Sequence, residues 1–124
     1  MSREASDETQ ARVFSALGDA TRLLVLRRLA ERGEASIAQL ANDHPISRQA
    51  LTKHLEVLAG AGLVTDERRG RERVFAFDGA RLVTARRLID EVGAAWEARL
   101  GRLEALCRDE VGDVARAVPH RIVD

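Results

Sequence analysis

Between Ser47 and Lys53 the chain reads SRQALTK, placing Arg48, Gln49, Thr52 and Lys53 at helical spacing behind a serine that can cap a helix. An arginine fork pairs bidentately with guanine and a glutamine amide with adenine. A threonine meets a thymine methyl or a phosphate, and a capped helix N-terminus offers backbone donors to a phosphate. A second concentration lies at 66–73, DERRGRER, where Arg68, Arg69, Arg71 and Arg73 crowd a glycine turn. Forked cations at a turn suit phosphate or minor-groove contact. From His44 to Arg73 six basic residues stand against four acidic ones, whereas 74–124 holds eight against nine. Each cluster taken alone reads more readily as a solvated surface, so the elements that carry them decide the matter.

Residues 1–8 are polar and read as a frayed tail, with a first helix opening at Glu8 or Thr9 and stopping near Gly18. Asp19 is placed to cap a second helix, ATRLLVLRRLAERG, which Gly33 ends. Ser36 caps the short helix IAQLAND, and His44-Pro45-Ile46 breaks it, since proline disfavours helix in the residue before it. Ser47 then opens RQALTKHLEVLAGAG, with Leu51, Leu55 and Leu58 on one stripe and Arg48, Gln49, Thr52, Lys53 and Glu56 on the other side. Residues 63–69 and 71–78 read as two strands around Gly70, with Leu63, Phe75 and Phe77 available to bury. From Ala80 to about Arg108, Leu82, Ala85, Ile89, Val92, Trp96, Leu100, Leu103 and Cys107 recur at steps of three and four, and 111–124 reads as a frayed tail. A short helix, a turn and a polar-faced helix followed by a basic hairpin make a winged helix-turn-helix. The predicted fold class is therefore mainly α with a small β-hairpin, extended by one long C-terminal helix.

Composition narrows the rest. At 124 residues the chain fits one ordinary domain, and its 20 basic and 20 acidic residues cancel, so any electrostatic attraction must be local. Nineteen of the basic residues are arginine, Lys53 being the lone lysine, a bias that genome composition explains as well as function does. One cysteine, Cys107, fits a reducing compartment, and neither a signal-peptide pattern nor an apolar run of ~18 residues is present. Cytoplasmic localisation and no membrane partner are the expectations. With no nucleophile elbow, no phosphate-cradling glycine loop and no framed carboxylate pair, no catalytic residues and no enzyme activity are expected.

Three stretches together carry a resemblance: ALGDATRLLVLRRLAERGEASIAQLA at 16–41, ISRQALTKHLEVLAGAGLV at 46–64 and RRGRERVFAF at 68–77. The chain resembles the ArsR-type winged-helix repressors. That resemblance implies a homodimeric bacterial transcription regulator, usually a repressor, whose N-terminal and C-terminal helices pair across a two-fold axis. The implied partners are double-stranded DNA and a second copy of the chain. Residues 9–79 would form the DNA-binding region and 80–110 the dimerisation helix. Val13, Phe14, Leu82, Ile89, Val92, Trp96, Leu100 and Leu103 would form the interface, although Trp96 serves equally well as an intrachain core residue. Two recognition helices ~34 Å apart would read an imperfect inverted repeat.

The sequence departs from the family's best-known members at the metal sites. Neither GEASIAQLAND nor the last helix carries paired cysteines or an aspartate and histidine set, and His44, His54 and His120 are scattered. No metal and no cofactor are expected, which places the chain in the branch without the familiar ligand motifs. A small-molecule effector leaves no motif to read and stays unknown. Two alternatives stay open: a winged-helix protein-interaction module without DNA specificity, and a ligand- or redox-responsive regulator using Cys107.

Overall fold

The computed structural model describes residues 3–111, in the order α1 (Arg3–Leu17), α2 (Ala20–Arg32), β1 (Glu34–Ser36), α3 (Ile37–Asp43), α4 (Arg48–Gly60), β2 (Val64–Arg69), β3 (Glu72–Phe77) and α5 (Ala80–Val111). The chain divides into two compact units, one ending at Arg86 and the other starting at Arg87, both within the length of α5. The expected C-terminal tail lies outside the described residues except for Val111, the last residue of α5.

Helix boundaries follow their caps. Asp19 Oδ1 accepts from the Arg22 backbone N–H at 3.0 Å, and Gly33, at φ +86°, donates its N–H to the Leu29 carbonyl at 2.7 Å to close α2. Ser36 and Gln39 form a reciprocal capping box at the start of α3, with bonds of 3.1 and 2.9 Å. Ser47 Oγ accepts from Ala50 N–H at 3.1 Å and opens α4. The start of α1 corrects the sequence reading: residues 3–8, expected to be frayed, are helical, because Arg, Glu and Ala favour helix and no breaker separates them from the apolar turn that follows.

A second correction concerns the sheet. It has three strands, in the order β1-β3-β2, all antiparallel, where the sequence suggested a hairpin alone. Three residues are too few to display an alternating pattern, so β1 is visible only through its pairing with β3, which sets Glu34 against Ala76, Ala35 against Phe75 and Ser36 against Val74. Gly70, at φ +65°, and Arg71 connect β2 to β3, and a positive φ at the first position of a two-residue connection suits strand twist.

Within the first unit the core gathers Leu29 from α2, Leu40 from α3, Leu51, Leu55 and Leu58 from α4, and Leu63 and Phe75 from the sheet region. Val13 belongs to this core as well. Expected at an interface between copies, it is instead buried in its own chain, on the side of α1 that packs against α2 and α4. Leu82 packs partly against this core and Ala85 is buried in it, which seats the first turns of α5.

Candidate nucleic-acid interface

The side of α4 opposite Leu51, Leu55 and Leu58 carries Arg48, Gln49, Thr52, Lys53 and Glu56, which line one shallow depression. Among the described residues, the side chains of Arg48, Gln49 and Lys53 enter no hydrogen bond or ion pair, so their donors stand ready for an outside partner. The Thr52 hydroxyl donates to the Arg48 carbonyl at 2.7 Å, which holds the side chain close to the helix. Ser47 is engaged as the cap, and its role is to start the helix where Arg48 and Gln49 occupy the first turn.

Arg22 holds α4 in place. Its Nε donates to the Ala16 carbonyl at 2.8 Å at the end of α1, and one terminal nitrogen lies 3.4 Å from Nδ1 of His54 on α4. A guanidinium has donors only, so Nδ1 acts as acceptor in this contact and His54 is a packing residue of α4. Arg28 and Arg32 both reach Asp43, tying α2 to the end of α3, and Asp43 is held below the ordinary carboxylate range chiefly by the Arg28 hydrogen bond. His44 Nδ1 meets the Leu40 carbonyl at 2.8 Å, and His120 lies outside the described residues.

The four arginines of the wing divide into two pairs. Arg69 donates to Glu67 at 2.6 Å and to Glu34 on β1 at 3.1 Å, and these carboxylates hold its guanidinium protonated more firmly than usual. Arg73 donates to Asp66 at 2.8 Å, lies 3.6 Å from Glu56 on α4, and covers the Phe75 ring at 4.9 Å. Arg68 and Arg71 have no such partners among the described residues. Four arginines in sequence thus become two tethered and two unengaged ones. Sequence reasoning placed Glu56 on the polar face of α4 without giving it a role, and its pairing with Arg73 depends on a tertiary approach that no helical spacing reports.

This geometry has counterparts in known proteins. A helix-turn-helix domain family matches residues 17–67. An uncharacterized HTH-type transcriptional regulator of Bacillus subtilis, YuzN, is 47% identical over 72 residues, covering 53% of this chain and 78% of that protein. An ArsR-like transcriptional regulator from Rhodococcus sp. RHA1 superposes with a TM-score of 0.70 at 37% identity, over 82% of this chain and 95% of that one. The chain belongs to the ArsR-type winged helix-turn-helix transcriptional regulators. A further relative, the arsenical resistance operon repressor of Escherichia coli, is 28% identical over 78% of this chain and 80% of its own length. In this ArsR-type regulator α3 and α4 form the helix-turn-helix, and β2 and β3 the wing.

Among the described residues, no three histidine, cysteine, aspartate or glutamate side chains converge as metal ligands, and no helix is long and apolar enough to cross a membrane. Cys107 is exposed on α5. Of the residues expected at a dimer interface, Ile89, Val92, Trp96 and Leu103 are exposed in the single chain, joined by Leu106. Phe14 is partly exposed, and Leu100 is half-buried.

Proposed function

We propose that this regulator is a homodimer that reads an inverted-repeat operator through the first two turns of α4 and represses transcription there, in the cytoplasm. The observation that carries the reading is the free polar face of α4: among the described residues Arg48, Gln49 and Lys53 are unengaged at the N-terminal end of a helix that Ser47 caps and Leu51, Leu55 and Leu58 anchor. Arg48 and Gln49 have the donor and acceptor patterns that discriminate guanine and adenine, and Thr52 and Lys53 complete the face. Arg68 and Arg71 on the wing supply phosphate contact. The exposed α5 residues Ile89, Val92, Trp96, Leu103 and Leu106 are apolar surface that a second copy would cover. A repressor role is supported by kinship with a protein named as an operon repressor.

The test is a fluorescence-anisotropy titration of the full chain against DNA from immediately upstream of its own gene, beside a scrambled duplex, at two salt concentrations. Tight, salt-dependent binding with preference for the upstream duplex is expected. Equal weak binding to both, together with failure to enrich any sequence from a randomised pool, would sink the reading in favour of a protein-interaction module.

A further inference from the structure

The two tethered wing arginines are not equivalent. Strand register puts Val64, Asp66 and Arg68 of β2 on the same side of the sheet as Phe77, Phe75 and Arg73 of β3. That is the side on which Phe75 is fully buried, so it faces the helices. Arg69, Glu67 and Glu34 occupy the opposite side, away from α4. Arg73 therefore leaves the strand on the helix-facing side, with its stem toward the core and its fork between two carboxylates belonging to different elements. Asp66 lies on the neighbouring strand at 2.8 Å and Glu56 on the recognition helix at 3.6 Å, while the Phe75 ring lies beneath the guanidinium. Register also sets Arg68 directly opposite Arg73, a like-charge pair that the two carboxylates offset.

From this we infer that Arg73 is a positioning residue and not a phosphate contact: it straps the wing to the recognition helix through Glu56, with Asp66 of the wing holding its fork in place, and so sets the angle at which both meet DNA. The inference rests on the DNA-binding reading above. It assigns direct phosphate contact in the wing to Arg68 and Arg71, and gives Glu56 a role in discrimination without contact to a base. Three simultaneous engagements suit an arginine at this position. A planar fork spans two separated carboxylates while lying flat over a ring, a geometry that the compact point charge of an ammonium matches poorly. A phosphate contact, in contrast, needs little beyond a positive charge in reach.

The difference is measurable with four variants of the full chain, Arg73→Lys, Glu56→Gln, their double variant and Arg71→Ala. Each is titrated against the tightest duplex the unaltered protein selects from a randomised pool, and against a scramble, across a salt series. Arg71→Ala should lower affinity for both duplexes and reduce the salt slope by about 0.9, the signature of one lost phosphate contact. Arg73→Lys should keep the salt slope but lose roughly tenfold in preference for the selected duplex, comparable to one misread base pair. Glu56→Gln should lose a similar preference, and the double variant should be no worse than either single one, because both cut the same strap. Retention of the unaltered preference in either single variant overturns the inference, as does a Glu56→Gln protein that binds both duplexes more tightly with a steeper slope, since that means a released Arg73 has reached phosphate. Should Arg73→Lys melt early, Glu56→Gln decides alone, its side chain being more than half exposed. A parent protein that selects no duplex at all removes the DNA-binding reading itself, and the strap with it.

Discussion

The reading proposed for Arg48 and Gln49 is separable from stability. Neither side chain takes part in a hydrogen bond or ion pair among the described residues, so replacing both with alanine removes none there and leaves two good helix positions. The Arg48→Ala, Gln49→Ala double variant should melt within a degree or two of the parent and yet lose about 1–3 kcal/mol of preference at each base pair it no longer reads. Melting followed by circular dichroism and a competition titration with single-base operator variants check the two halves separately. A large fall in melting temperature, or unchanged preference, would contradict the assignment. The wing shows the opposite case. Arg69 is engaged with Glu34 and Glu67, and Glu34 is held below the ordinary carboxylate range chiefly by the Arg69 hydrogen bond. Its alteration is expected to disturb the packing of β1 on the wing before it disturbs any contact with a ligand.

At the scale of elements, the caps carry much of the specification. Ser47 satisfies one orphan donor of α4, and Ser47→Ala should cost about 1 kcal/mol of stability, read as a lowered midpoint in urea. If α4 starts one residue late as a result, DNA affinity falls further than stability does. The capping residues Asp19, Ser36 and Ser47, the stop at Gly33 and the leucine stripe of α4 were legible in the sequence because each is a local pattern with a local cause. What escaped was set by contacts distant in sequence. The three residues of β1 become a strand only by pairing with β3, Val13 is inward by virtue of where α1 packs, and Glu56 finds Arg73 only once the wing folds toward α4. Acid should expose these tethers. Asp19, held low chiefly by the Arg22 backbone N–H, and Glu34 and Asp43, held low by their arginines, all bind protons less readily in the fold than in the unfolded chain. Their stabilisation is therefore complete above the unfolded values of 3.8 and 4.5 and drains as pH falls through the folded ones. The melting temperature should be nearly level from about pH 7 to 5 and decline below about 4.5. Asp43→Asn should make that acid-side decline shallower, and an equally steep decline in the variant would remove Asp43 from the account. The decline should be modest, since solvent screens all three groups.

For the molecule as a whole, the unresolved demand is the apolar surface of α5. Ile89, Val92, Trp96, Leu103 and Leu106 follow one another at steps that return to the same side of a helix, and Trp96 at 58% exposure and Val92 at 65% leave large apolar areas in water. Soluble proteins seldom keep such a stripe uncovered, and a single helix has no means of covering its own side. A second copy offers the same stripe, and two-fold pairing would bury both at once. Trp96 stands near the middle of the series, with Ile89 and Val92 before it and Leu103 and Leu106 after it. Trp96→Glu should accordingly convert a species of twice the chain's 13.7 kDa into the single chain in sedimentation equilibrium. The helical content of the first unit should be retained, because Trp96 lies outside it. The same variant should lose operator affinity by much more than it loses affinity for a single half-site, since only the paired molecule gains from holding two sites together. A parent protein that sediments as one chain, or a Trp96→Glu protein that keeps the parent's mass and operator affinity, would place the partner of α5 somewhere other than a second copy.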